Sequence, residues 1–371
     1  MKILQLISGR TINGALTYCK FLSEQLHAMG HELVVVGRYD GWLKSRLDPK
    51  IKYIESELSR NPFELKRIAN LIRNEKVDVI HSHMSRAHSF GVLLKLITGV
   101  PVVATAHAHS FQVHWRLNDF VIANSQATFD YQVRVNRIPV QKMEKVFCFT
   151  ALERFKHVTP LKKLIVRRQL RLTENEFLAG VVGDVAERKG HIHLIEAIPE
   201  IVKAIPNFKL VLLGRFNRSE PLVKKIRGLQ LKHKIFRRVK WIGIRDNVED
   251  FMSAFDLCVV PSLIEPLGLV ALESLAAGTP VVAAATGGLK EIVEHEKTGL
   301  LVPSGDSDSL AKAIVQLAQS EPDRIRMGEN GRAMVHDKFD PAKLTVEVER
   351  ILQTVASKKG RSQKSGSRKV A

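Results

Sequence analysis

Pro261-Ser-Leu-Ile-Glu265-Pro-Leu-Gly-Leu-Val-Ala-Leu-Glu273 places two carboxylates eight residues apart, and its neighbours say what carries them. Before it, Phe255-Asp-Leu-Cys-Val-Val260 is a short apolar block of strand type. After Pro266, Leu269 to Ala277 reads as a helix that Gly278-Thr-Pro280 terminates. The order is strand, carboxylate-bearing turn, exposed helix start. Free backbone N–H groups and the positive end of the helix dipole at such a start suit a phosphate. Glu265 would stand beside that phosphate, and Glu273, two turns along, would reach another part of the same ligand. Any α/β protein can carry two glutamates across such a turn, so the spacing alone does not name the chemistry.

Working outward, the same rhythm repeats. Strands are expected at Phe177–Gly183, Lys209–Leu213, Val239–Ile242, Leu257–Val260, Pro280–Ala284 and Gly299–Val302, with helices between them. In the first half they are expected at Ile3–Ile7, Glu32–Val36, Val77–His81, Val102–Ala106, Phe120–Ala123 and Lys145–Phe149. The amphipathic stretches between these are Ala15–Met29, Pro62–Asn74, Arg86–Leu96 and Ser125–Asn136, and Asn61-Pro62 has the form of a capped helix start. Alternation of this kind predicts parallel sheets with helices on both faces. The expected fold class is α/β, as two Rossmann-like domains facing across a cleft. The expected divisions are 1–158, 159–335, a helix at 336–356 and a disordered basic tail at 357–371, with Leu152–Lys163 as the linker.

The 371 residues are enough for two full cores, and no apolar run approaches the roughly 20 residues that span a bilayer. The first apolar block, Met1–Ser8, is of strand length and too short for a signal peptide. Cys19, Cys148 and Cys258 are odd in number and lack metal spacing, which suits small core residues in a reducing cytoplasm. Charge is uneven. Residues 1–171 carry 27 basic against 13 acidic side chains and the tail 357–371 carries 6 against none, within a total of +19. Such an excess suits an anionic partner such as a membrane surface. With aromatics at 6%, there is no stacking array to suggest nucleic acid.

Three further clusters can carry chemistry. Val181-Val-Gly183-Asp184-Val-Ala-Glu-Arg188-Lys189-Gly190 is a strand, a loop and a helix start, and two adjacent cations there can neutralise a diphosphate. Ile12-Asn-Gly14-Ala15 follows the first strand. Thr105-Ala-His107-Ala-His109 ends a strand at the sheet's carboxyl edge, where α/β sites lie, and His81-Ser-His83 ends its neighbour. Two His-x-His pairs are a conceivable zinc site, but no carboxylate stands at ligand spacing. The stretch 215–240 holds ten Lys/Arg and one Glu, either a solvated face or a second anion contact.

The composite of Pro261-Ser262, Glu265, Gly268, Glu273, Gly278-Thr-Pro-Val-Val282, Gly287-Gly288 and Thr298-Gly-Leu-Leu-Val-Pro303 resembles the retaining GT-B glycosyltransferases of family 4. The likeness is dense from Val181 to Ala313 and thinner before Phe155. It implies a hexosyltransferase-type enzyme using a nucleoside-diphosphate sugar and neither cofactor nor metal. The implied acceptor is a glycan or lipid-linked molecule, and cell-envelope polysaccharide or lipopolysaccharide synthesis is the expected setting. The implied location is cytoplasmic, peripheral on the inner membrane face, with no nucleic acid.

The resemblance assigns Glu273 to the ribose hydroxyls, Glu265 to the neighbourhood of the transferred sugar, and the backbone at Gly268 and Leu269 to the diphosphate. It gives Arg188 and Lys189 to the leaving group, His107 to the donor sugar's surroundings and Gly14 to a donor-facing loop. It also implies that the terminal helices return to the first domain. This chain departs from the pattern in three places. Asp184 stands where many relatives have a phosphate-binding arginine, Gly14 stands where two glycines are usual, and the segment 109–155 is shortened on the acceptor side. The competing readings are a non-catalytic nucleotide-sugar-binding protein of the same fold and a nucleotide-sugar epimerase.

Overall fold

In the computed structural model, residues 1–39, 41–156 and 159–366 are described, with side chains through 358. The chain divides into two compact units, Met1–Thr150 together with the C-terminal segment from Pro341, and Ala151–Asp340.

The first unit is built on seven parallel strands: β1 (Lys2–Ile7), β2 (Glu32–Gly37), β3 (Lys52–Glu55), β4 (Val79–His83), β5 (Val102–Ala106), β6 (Phe120–Ala123) and β7 (Met143–Lys145), in spatial order 3-2-1-4-5-6-7. The second has six: β8 (Phe177–Val182), β9 (Phe208–Leu213), β10 (Val239–Gly243), β11 (Leu257–Val260), β12 (Val281–Ala284) and β13 (Gly299–Val302), in order 10-9-8-11-12-13. Both orders reverse direction beside the first strand of the unit, and ligands of open α/β sheets bind outside the carboxyl ends at such a point. All strand pairs are parallel, so the central strands are covered on both faces and read as continuous apolar runs.

Local chemistry sets the helix starts. The Asn61 side chain accepts from the Phe63 N–H with Pro62 at the first helical position, as the Asn-Pro pair predicts. Ser125 caps the helix Gln126–Arg134 from just outside it. Gly278, at φ +77°, ends the helix that carries Glu273.

Several elements differ from their expected positions. β4 runs Val79–His83 rather than Val77–His81, because the Val77 N–H is taken by Ile72 at the end of the preceding helix. β7 stops at Lys145; of the apolar block Val146–Phe149 that suggested a strand, Val146, Cys148 and Phe149 are buried instead, with Phe149 edge-on to Tyr18 at 5.1 Å. β3 goes unread in the sequence because its four residues, Lys-Tyr-Ile-Glu, end in charges, as edge strands do.

The division falls at Thr150/Ala151 rather than at 158/159, and at Asp340/Pro341 rather than at 335/336. The expected linker holds a helical turn, Glu153–Lys156, whose Arg154 pairs with Glu249 at 2.5 Å, and it runs into the helix Pro160–Gln169. Of that segment, residues 157 and 158 lie outside the described residues. The C-terminal helix spans Pro341–Gly366, so residues 357–366 of the tail expected to be disordered are helical; Lys, Arg, Gln and Ser propagate an existing helix at little cost. Residues 367–371 lie outside the described residues. Leu344, Val348, Ile351, Leu352 and Val355 form one buried stripe of this helix, and Glu349 meets His31 at 2.8 Å. Among the described residues, no helix is long and apolar enough to cross a membrane.

Candidate active site

Two loops at the carboxyl edge of the second sheet are laced together by backbone. The Arg188 carbonyl, in the loop after β8, accepts from the N–H groups of Leu263 at 2.7 Å and Ile264 at 3.2 Å, in the loop after β11. Gly190 makes this approach sterically feasible. It sits at φ +67°, and a Cβ there would lie 1.9 Å from the Pro261 carbonyl oxygen. Lys189, held between, donates through Nζ to Glu265 Oε2 at 2.6 Å, and the buried Ser262 hydroxyl donates to the same oxygen at 3.1 Å. Glu265 itself is buried at 8% exposure, so its charge is compensated by Lys189 and Ser262 rather than by bulk water. A third loop fixes its backbone, with the Gly288 N–H donating to the Glu265 carbonyl at 3.0 Å.

Downstream of Glu265 the chain turns through Gly268, at φ +105°, into the helix Leu269–Ala276. That helix start has no side-chain cap and no acidic residue in its first turn. Glu273 lies two turns along, half-buried, and Arg188 projects an exposed side chain beside Lys189. Lys189, Glu265, Ser262 and the Gly268–Leu269 turn are therefore gathered at one sheet edge.

Asp184 has a defined partner. Its carboxylate accepts from the backbone N–H of Arg215 at 3.1 Å through Oδ1 and from the Arg215 guanidinium at 2.7 Å through Oδ2. Arg215 follows Gly214 at the end of β9, as Asp184 follows Gly183 at the end of β8, and the Val185 N–H donates to the Arg215 carbonyl at 3.0 Å.

In the first unit, Gly14 is exposed and opens the helix Gly14–Ala28, whose first N–H groups, of Ala15 and Leu16, are taken by the Asn13 side chain. His107 is drawn inward. Gln5 Oε1 accepts from His83 Nε2 at 2.9 Å, so the proton of neutral His83 lies on that nitrogen and its Nδ1 accepts. His107 then donates through Nε2 to His83 Nδ1 at 3.0 Å, and its Nδ1 faces the Cys148 thiol at 3.8 Å. Both ring nitrogens of His107 thus point at protein partners rather than outward; the neighbouring His-x-His pair had pointed to His83, whereas nothing in the sequence pointed to Cys148.

His109 goes elsewhere, stacking on Tyr131 at 4.7 Å and bonding Thr128 at 3.1 Å. Among the described residues, no group of three His, Cys, Asp or Glu is placed to hold a metal.

Burial pulls His81 and His107 down to about 3, and it lowers His83 and His88 as well, helped by the neighbouring histidines. These folded-state values lie below the ordinary 6.5, so the unfolded chain takes up more protons in acid. Their contribution to stability is complete above pH 6.5 and is lost as the pH falls toward 3. Urea unfolding followed through the buried Trp115, whose ring lies 4.4 Å from His88, should show a midpoint that falls steadily over that window. A flat profile would contradict a cluster buried in its neutral form.

Comparison with known proteins matches two families: Glycosyl transferases group 1 over residues 162–334, and Glycosyltransferase Family 4 over residues 12–154. A D-inositol 3-phosphate glycosyltransferase of Corynebacterium aurimucosum is 30% identical over 324 residues, covering 80% of this chain and 74% of the relative. A UDP-Gal:alpha-D-GlcNAc-diphosphoundecaprenol alpha-1,3-galactosyltransferase of Escherichia coli is 24% identical, covering 84% and 86%. Among solved structures, Anabaena HepE in complex with UDP and glucose superposes with a TM-score of 0.86 at 24% identity, covering 95% of this chain and 99% of the other. With two parallel Rossmann-like sheets, a laced carboxyl edge and matches over both units, this chain belongs to the group 1 glycosyltransferases of GT-B fold.

Proposed function

We propose that this chain transfers a hexose from a nucleoside-diphosphate sugar, with retention of anomeric configuration and without a metal ion. The observation that carries the reading is the Lys189–Glu265–Ser262 cluster beside the uncapped helix start at Gly268. An ammonium and free helix N–H groups suit a diphosphate, and the carboxylate suits a sugar that develops positive charge as the leaving group departs. Glu265 and Lys189 act at the reacting end, Arg188 adds charge to the leaving group, and Gly268 and Leu269 supply backbone donors. Glu273 accepts from the vicinal ribose hydroxyls. The departing diphosphate takes the acceptor's proton on the face from which it leaves, so no second protein carboxylate is needed as a base. The roles of Gly14 and His107 are narrower: Gly14 lines the donor-facing loop, and His107 shapes the sugar's surroundings through its ring face or backbone.

The acceptor is a glycan or lipid-linked molecule bearing phosphate. Two features support this. The first unit carries the basic excess, and both relatives above are named for phosphorylated acceptors. Cell-envelope polysaccharide or lipopolysaccharide synthesis, at the cytoplasmic face of a membrane, is the setting that fits.

Calorimetric titration with UDP, GDP and ADP tests the donor site. One of them should bind in the micromolar range, and binding should be lost when Arg188 and Lys189 are both replaced by alanine. Absence of binding by all three would sink the donor assignment and favour a non-catalytic relative.

A further inference from the structure

We propose that Arg215 is a diphosphate-binding residue of the donor site, its charge offsetting that of Asp184. The inference rests on the donor reading above.

The ends of β8 and β9 are pressed together more closely than a side chain permits. Gly214 sits at φ +151°, and a Cβ there would lie 2.1 Å from the Gly183 carbonyl oxygen. Residues 184 and 215 are consequently adjacent, and the sheet pairing continues past the strands through the Val185–Arg215 backbone bond. A Cβ on Gly183 would lie 3.8 Å from Cε of Lys189, so the lysine stem runs over the same turn that carries Asp184. Arg215, Asp184 and Lys189 therefore share one edge, next to the Glu265 loop.

Charge explains why this matters. A bare aspartate at position 184 would repel a diphosphate held by Lys189, and much of Lys189's own charge is engaged by Glu265. The Arg215 guanidinium reverses the local sign. Its pair with Asp184 is half exposed, with side-chain exposures of 51% and 41%, and exposed pairs of this kind couple only weakly. The guanidinium can be shared with a phosphate, or pass to it, at small cost, and its planar fork suits phosphate oxygens in two-point contact. The backbone bond from the Arg215 N–H to Asp184 Oδ1 keeps the carboxylate in place meanwhile. The cation that the sequence lacks at position 184 thus comes from the neighbouring strand end.

The test is calorimetry with whichever of UDP, GDP and ADP the wild-type protein binds, on Arg215→Ala, Asp184→Ala and the exchange Asp184→Arg/Arg215→Asp. Arg215→Ala should weaken binding about tenfold or more, which is about 1.4 kcal/mol. Asp184→Ala should bind as well as wild type or better, because it removes only the negative partner. The exchanged protein should recover to within a few-fold of wild type, since it restores both the pair and a cation at that edge. Equal weakening in Arg215→Ala and Asp184→Ala would mean that the pair only braces the turn, and would overturn the proposal. Unchanged binding in Arg215→Ala would overturn it as well. Failure of the wild type to bind any of the three would instead remove the donor reading on which the proposal stands.

Discussion

Glu265→Gln is expected to lower kcat/KM by at least ~100-fold, the usual size of effect when a preorganised electrostatic group at a reacting centre is lost. The substitution is chosen because it isolates charge. A glutamine oxygen still accepts from Lys189 Nζ and from the Ser262 hydroxyl, now 2.6 and 3.1 Å from Oε2, so the loops need not move. The melting temperature should therefore change little. Lys189→Ala should cost as much activity but reads differently, because it strands a carboxylate that is only 8% exposed. Breaking such a pair from one side destabilises by about 3–5 kcal/mol, and the melting temperature should fall with the rate. Activity within about tenfold of wild type in a folded Glu265→Gln protein would withdraw Glu265 from the reacting end.

Gly190→Ala should be the most damaging change of a single methyl group. The added Cβ would lie 1.9 Å from the Pro261 carbonyl oxygen, and backbone, unlike the end of a flexible side chain, cannot swing aside. The left-handed φ of +67° adds its own penalty for any L-residue with a Cβ. A loss of about 3 kcal/mol or more is expected, at the upper end of what local backbone strain costs. Because Arg188 and Lys189 immediately precede this glycine, donor binding should collapse as well. Gly228→Ala is the control. It lies within the helix Pro221–Lys232 with nothing beyond the helix's own backbone within 4 Å of the added methyl, and should be neutral or stabilising by up to about 1 kcal/mol. Comparable melting temperatures for the two alanine variants would show that the two loops are not locked through Gly190.

Much of the second unit was legible because its strands are apolar blocks punctuated by glycine and proline, and periodicity locates such blocks well. The first unit was harder to read. β4 carries His81, Ser82 and His83, all fully buried, and polar residues inside a central strand disguise its end. Their burial is tolerated because each finds a partner: Thr105 for His81, His88 for Ser82, and Gln5 with His107 for His83. None of those pairings is visible without strand order. The same holds for the site. Glu265 and Lys189 could be nominated separately from local motifs, but their contact spans 76 residues and depends on β8 lying beside β11. Asp184 looked like a loss because its partner lies 31 residues away, at the end of β9.

The C-terminal helix completes the core of the first unit, so the second unit is an insertion within it: residues Ala151–Asp340 are continuous, whereas the first unit is assembled from both ends of the chain. During synthesis the second unit emerges whole and can fold on the ribosome. The first must wait, with the surface that later receives Leu344, Val348, Ile351, Leu352 and Val355 still open, until the segment from Pro341 is made. A chain cut short before Pro341 would carry an intact second unit beside a first unit that lacks part of its interior. Message truncation or late proteolysis would thus leave the second unit whole and open the interior of the first.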